Sequence, residues 1–165
     1  LFEAQTYAAL ARAVLDAFQA AGKMLATAES CTGGMVAAAL TDIAGSSAVV
    51  ERGFVTYSNE AKTELLGVPA PLIAAKGAVS QEVAAAMAEG ALARSHAAVA
   101  VAITGIAGPG GGSPDKPLGL VWFGLSSDGK TVTEHHVFAG DRAAVRAQAT
   151  EKALALLLDG LRTVE

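Results

Sequence analysis

A serine, a cysteine and a threonine stand directly ahead of two glycines in Thr27-Ala28-Glu29-Ser30-Cys31-Thr32-Gly33-Gly34. The apolar run Met24 to Ala28 before them reads as a strand, and Met35 to Ile43 after them reads as a helix. A hydroxyl, a thiol and two glycines therefore fall on a strand-to-helix turn. The first N–H groups of a helix have no intrahelical partner, and the helix dipole adds partial positive charge there. Glycines let the backbone approach a ligand closely. Such a turn can hold a phosphate or stabilise an oxyanion, and a serine on it can act as a nucleophile. The same residue types also suit a plain capped turn, so this stretch alone leaves both roles open.

Two more glycine-bearing features fall at expected strand ends: Thr104 to Pro117 (TGIAGPGGGSPDKP) and Gly140-Asp141-Arg142. Open α/β sheets bind ligands at the carboxyl ends of their strands. The first turn and the loop Thr104 to Gly112 follow strands directly, so these two could converge on one pocket. None matches a Walker A loop or GxGxxG, which leaves classical ATP and dinucleotide binding without support. Ser30 and Cys31 are the candidate nucleophiles. Of the candidate bases, His96, His135 and His136 lie outside the glycine-rich set, and the last two face opposite ways on one strand. Tyr57 and Lys62 lie at a strand-to-helix junction, and a lysine can serve as a base when burial lowers its pKa. Spacing alone makes Lys62 an exposed helix lysine and Tyr57 a half-buried strand residue.

The elements that must position these groups follow from periodicity and punctuation. Phe2 to Ala21 reads as an amphipathic helix stopped by Gly22. Val49 to Tyr57 reads as a strand, and Ser58 caps a helix from Asn59 to Leu66 that Gly67 closes. Pro69 to Gly77 reads as a connector with room for a further helical turn, and Ser80 caps a helix to about Arg94. Ala98 to Ile103 (AVAVAI) has the continuous apolar character of a central buried strand. Leu118 to Leu125 and Thr131 to Phe138 read as a hairpin, and Asp141 caps a last helix to about Leu161. Strands alternating with helices predict a single layered α/β/α domain over residues 1–165, with a mixed, mostly parallel sheet that includes one C-terminal hairpin.

Composition narrows the function classes. The 165 residues are 52% hydrophobic and 17% charged, which opposes a disordered chain. A formal net charge of −4 argues against a general nucleic-acid binder, which needs clustered Lys and Arg. The single cysteine excludes an internal disulfide and a cysteine-based zinc cluster. No apolar stretch reaches membrane-spanning length, and the first residues lack a signal-peptide pattern. The expectation is a cytoplasmic protein acting on a small molecule.

Eight ordered motifs carry a more specific resemblance: TAESCTGG (27–34), DIAGSS (42–47), ERGFVTYSNEAK (51–62), LLGV (65–68), GAVS (77–80), TGIAGPGGG (104–112), KPLGLVWFGL (116–125) and FAGDRAAVRAQA (138–149). From about residue 5 to 160 the chain resembles the CinA C-terminal-domain family, whose stand-alone members are nicotinamide-nucleotide amidohydrolases. The resemblance implies hydrolysis of the carboxamide of nicotinamide mononucleotide (NMN) in pyridine-nucleotide salvage, by a homo-oligomer without metal or organic cofactor. It places the nucleophile on Ser30 and its activating pair on Tyr57 and Lys62. It further suggests main-chain donors for an oxyanion around Cys31, Thr32, Gly33 and Gly34, and a pocket wall at Thr104 and Gly105. The loop bearing Gly108 and Gly110, with Arg142, is the candidate phosphate site. Two rival readings stand beside it: a non-catalytic nucleotide-sensing module of the same fold, and an enzyme with Cys31 as nucleophile.

Overall fold

The computed structural model describes residues 2–164, with side chains described for residues 7–162. The elements run α1 (Phe2–Ala21), β1 (Leu25–Glu29), α2 (Met35–Thr41), a 3-10 turn (Ser46–Ala48), β2 (Val50–Val55), α3 (Asn59–Leu66), α4 (Ala70–Lys76), α5 (Gln81–Ala93), β3 (Val99–Gly105), β4 (Leu120–Ser127), β5 (Lys130–Val137) and α6 (Arg142–Val164). The strands form one sheet in the order β2-β1-β3-β4-β5. β1 is parallel to β2 and β3, while β4 is antiparallel to β3 and β5. Four of the five strands therefore point one way and only β4 opposes them, the mixed and mostly parallel sheet expected. No described helix is long and apolar enough to cross a membrane.

Alternation along the two central strands sorts the core into layers. Leu25, Val99, Val101 and Ile103 face one cluster with Phe18, Leu40, Leu154 and Leu157 from α1, α2 and α6. The intervening Ala26, Ala28, Ala100 and Ala102 face a second cluster with Leu66, Ile73, Val83 and Met87 from α3, α4 and α5. Side chains two apart share a face, so the Val-Ala-Val-Ala-Ile pattern of β3 gives the sheet a bulky side and a thin one. The thin side brings α5 close to backbone: a Cβ on Gly124 would lie 2.4 Å from the Ala84 carbonyl oxygen.

Local chemistry sets most boundaries. Ser58 Oγ accepts from the Ala61 N–H, Ser80 Oγ from the Val83 N–H, and an Asp141 carboxylate oxygen from the Ala144 N–H, three caps placed as the sequence predicts. The hairpin turns on Asp128 and Gly129, both at positive φ, which matches the twist of the flanking strands. The connector 69–77 uses the room expected for a helical turn: it contains a helix, Ala70–Lys76, with Pro69 at the N-cap position and Pro71 in the first turn, where a missing N–H costs nothing. One expectation needs correction. Thr104 and Gly105 belong to β3 and not to the loop, because pairing with Trp122 and Val121 of β4 extends the ladder past Ile103. The loop proper starts at Ile106.

Candidate active site

The parallel strands β1, β2 and β3 all end at one edge of the sheet, and the three glycine-bearing features meet there. Ser30 is the first residue beyond β1. Its N–H donates to the Ile103 carbonyl at 2.9 Å, continuing the β1–β3 pairing by one residue. The turn that follows has Gly33 and Gly34 in the left-handed region (φ 59° and 106°), where a Cβ would be strained.

Lys62 reaches Ser30 from α3. Lys62 and Leu66 share the inward face of that helix, and Lys62 is 1% exposed. Its Nζ lies 3.1 Å from Ser30 Oγ and donates to the carbonyls of Thr56 at 3.0 Å and Tyr57 at 3.4 Å. The exposed position that spacing alone gave it is therefore corrected: α3 turns this lysine inward, onto Ser30, Thr56 and Tyr57 just beyond the carboxyl ends of β1 and β2. Burial pushes the Lys62 pKa below the usual lysine range. In the neutral amine, the two N–H bonds are matched by the Thr56 and Tyr57 carbonyls. The lone pair then faces the Ser30 hydroxyl, the orientation needed to accept its proton.

Cys31, next to the serine, is 6% exposed, and burial pushes its thiol up to about 12. The nearby Glu29 acts in the same direction. A thiol held protonated at neutral pH is a poor nucleophile, which disfavours the Cys31 reading on physical grounds. The histidines serve elsewhere: His135 packs on Trp122 with ring centroids 4.4 Å apart, and His136 Nε2 lies 2.6 Å from a Glu134 carboxylate oxygen.

Ser30, Cys31, Tyr57 and Lys62 line a cavity of about 300 Å3 together with Thr104, Gly105, Gly108, Gly110 and Arg142. The CinA C-terminal domain model matches residues 7–161 of the chain. The chain belongs to that family. Nicotinamide-nucleotide amidohydrolase PncC of Escherichia coli K12 is 54% identical over 149 residues, covering 90% of each chain. A CinA-like protein of Akkermansia muciniphila is 54% identical over 138 residues, which are 83% of this chain and 33% of that one. Among solved structures, the competence/damage inducible protein CihA from Agrobacterium tumefaciens superposes with a TM-score of 0.91 at 48% identity, over 94% of each chain.

Within this CinA domain the remaining expected site residues divide into wall and support. Thr104 is buried, and its Oγ1 donates to the Ala78 carbonyl at 2.9 Å. Gly105 leaves no room for a side chain: a Cβ would lie 2.6 Å from Val121 Cγ2 and 3.1 Å from Cys31 Sγ. Tyr57 is 62% exposed, and its hydroxyl accepts from Arg142 Nη2 at 2.9 Å. Arg142 Nη1 donates to the Gly108 carbonyl at 2.8 Å, so this guanidinium ties Tyr57 to the glycine-rich loop across the cavity. The Tyr57 side chain is thus engaged by Arg142, and Lys62 meets Ser30 directly.

Thr32, Gly33 and Gly34 are outside the cavity lining, and the expected donor set around them is redistributed. The Gly33 N–H donates to the Ser30 carbonyl, and the Gly34 N–H to the Glu29 carboxylate. Among the described residues no other residue accepts from the N–H groups of Cys31 and Thr32, the two that follow the serine. Sequence reasoning missed two charged supports. Glu29 sits under α2, and Arg146 donates from Nε to the Cys31 carbonyl at 3.0 Å and from Nη2 to the Thr32 carbonyl at 3.4 Å. The four-residue spacing of Arg142 and Arg146 on one helix face was the available signal for the second.

Proposed function

We propose that this chain hydrolyses the carboxamide of nicotinamide mononucleotide to nicotinic acid mononucleotide and ammonia, with Ser30 as nucleophile and Lys62 as base. The observation that carries the proposal is the 3.1 Å approach of a buried lysine amine to the Ser30 hydroxyl at the wall of an open cavity. The Escherichia coli relative, nicotinamide-nucleotide amidohydrolase PncC, supports the choice of substrate. Neutral Lys62 takes the proton of Ser30 Oγ as the oxygen attacks the amide carbon. The carbonyl oxygen becomes an oxyanion that accepts from the Cys31 N–H at the cavity wall. The Lys62 ammonium then returns its proton to the departing nitrogen, the C–N bond breaks, and ammonia leaves. Water attacks the resulting ester, with Lys62 again taking a proton, and Ser30 and the carboxylic acid are regenerated.

In this scheme Thr104 and Gly105 shape the wall beside the reacting carboxamide, Tyr57 flanks the mouth, and the loop with Gly108 and Gly110 faces the ribose phosphate. No step calls on a metal or organic cofactor. Residues 1–165 act as one amidohydrolase domain in a cytoplasmic homo-oligomer, with no part for nucleic acid or membrane. The deciding experiment incubates the purified protein with nicotinamide mononucleotide and quantifies ammonia and nicotinic acid mononucleotide. Equal yields of the two are expected. Binding of the mononucleotide without either product would instead favour the nucleotide-sensing module.

Arg142 is proposed to pair with the substrate phosphate, exchanging its present partners for phosphate oxygens. Arg142→Ala is expected to raise KM for the mononucleotide roughly 10-fold or more, the loss of one charge-assisted hydrogen bond, with little change for the unphosphorylated riboside. Equal rises for both would show that Arg142 only ties Tyr57 to the loop.

A further inference from the structure

The hydrolytic scheme makes no use of Glu29, a fully buried carboxylate one residue ahead of the serine. Burial of a carboxylate is tolerated where donors surround it, and here four do. Oε1 accepts from Thr32 Oγ1 at 2.6 Å, the Val36 N–H at 3.0 Å and the Gly34 N–H at 3.2 Å, while Oε2 accepts from the Ala37 N–H at 3.1 Å. Gly34 occupies the N-cap position of α2 and supplies no side-chain cap. Glu29 fills that role from the end of a strand five residues earlier.

A cap supplied from that distance does more than end a helix. It ties the last residue of β1 to the first turn of α2, and Ser30, Cys31, Thr32 and Gly33 are the segment held between the two anchors. Ser30 is fixed on the strand side by its bond to Ile103, and Arg146 grips the carbonyls of Cys31 and Thr32. Gly33 and Gly34 contribute no side-chain packing of their own, so the shape of the turn is set by these ties. By taking the Gly34, Val36 and Ala37 N–H groups, Glu29 also leaves those of Cys31 and Thr32 as the donors nearest the nucleophile.

We propose that Glu29 is a positioning residue for the hydrolysis: its carboxylate, anchored to Thr32 and the start of α2, sets Ser30 Oγ against Lys62 and aims the Cys31 N–H at the oxyanion. The inference rests on Ser30 being the nucleophile. Glu29 touches no reacting atom, because its carboxylate is taken up under α2 and it does not line the cavity.

Glu29→Gln is nearly isosteric but replaces one accepting oxygen with an NH2 group, which must face a donor. The expected result is a folded protein whose kcat for nicotinamide mononucleotide falls roughly 100-fold while KM stays within about threefold, as for a reacting atom displaced by a fraction of an ångström. A merely structural role would reduce the folded fraction and leave kcat per folded molecule unchanged. Acylation by p-nitrophenyl acetate, located on the chain by peptide mass, provides a second readout, and its rate at Ser30 is expected to fall by a similar factor. If Glu29→Gln fails to fold, Thr32→Val carries the test by removing the shortest of the four bonds, with a roughly 10-fold loss in kcat expected. A folded variant with kcat per folded molecule within about threefold of the parent would overturn the proposal. A parent inert toward the mononucleotide but acylated at Ser30 would overturn the amidohydrolase reading alone, since the ester still measures what Glu29 does to Ser30. Acylation confined to another residue would overturn both.

Discussion

Ser30→Ala and Lys62→Met are each expected to lower kcat for carboxamide hydrolysis by about 10^3-fold or more, and the double variant to be no slower than the worse single. The expectation follows from one hydrogen bond, the 3.1 Å contact between Lys62 Nζ and Ser30 Oγ. Neither partner is useful without the other: the hydroxyl is a weak nucleophile until its proton leaves, and the amine has no second route to the reaction. Methionine keeps the unbranched shape of lysine, one atom shorter, while removing the basic nitrogen. Additive losses in the double variant would show two independent roles and break the scheme.

The same lysine gives the reaction a pH signature. Burial favours its neutral form, so kcat/KM is expected to climb as Lys62 loses its proton and to level off below the ordinary lysine value of about 10.5. Stability moves in the same direction. Between the lowered folded-state pKa and about 10.5 the unfolded chain binds more protons than the native one, so stability rises with pH across that window. Lys62→Met is expected to abolish that contribution, measured as the difference in denaturant midpoint between neutral and alkaline pH. An unchanged slope would mean that Lys62 titrates like a solvated lysine.

Gly90→Ala is expected to destabilise the protein by about 3 kcal/mol or more, although alanine is the better helix former. Gly90 lies inside α5, where helix propensity alone favours alanine by about 1 kcal/mol. The added Cβ would stand 1.9 Å from the Leu66 carbonyl oxygen, a main-chain atom that no rotamer change can move aside. Either α5 lifts from the sheet or the end of α3 shifts. Lys62 is one turn back along α3, so the second response also draws the amine away from Ser30. Denaturant unfolding measures the first effect, and kcat of the residual folded protein the second. A variant as stable as the parent would show that the α3–α5 contact yields at little cost.

Local signals in the sequence were reliable where the structure they govern is local. Ser58, Ser80 and Asp141 cap the helices predicted from them, because a cap needs only its own side chain and an N–H two or three residues on. The meeting of Ser30 with the loop after β3 was also legible, since parallel strands deliver their carboxyl ends to one edge. Lys62 was different. Helical spacing assigns a lysine to solvent, and what buries this one is the tertiary placement of α3, which brings it to the segments just beyond β1 and β2, so only the motif resemblance gave it a role. The donor geometry was read too simply for a related reason. The glycines suggested a helix N-terminus open to a ligand, whereas Glu29, which looked like one more strand residue, occupies it. Thr104 and Gly105 misled through the glycine- and proline-rich run that follows them; the partner strand β4 keeps both in the ladder, Gly105 against its intrinsic preference.

The unequal faces of the sheet divide the molecule by its tolerance of sequence change. On the side of α1 and α6, contacts run between branched and aromatic side chains, which can exchange volume among themselves when one is replaced. On the side of α3 and α5 the sheet presents Ala26, Ala28, Ala100 and Ala102, and at Gly90 and Gly124 the carbonyls of Leu66 and Ala84 stand where a Cβ would go. At those two positions an added atom meets main chain and not a side chain that can turn aside, so they accept almost no added bulk. Stabilising redesign and laboratory drift have more freedom on the α1–α6 side. On the face that carries Lys62, these two points are held to glycine by backbone geometry, before any selection for chemistry acts on them.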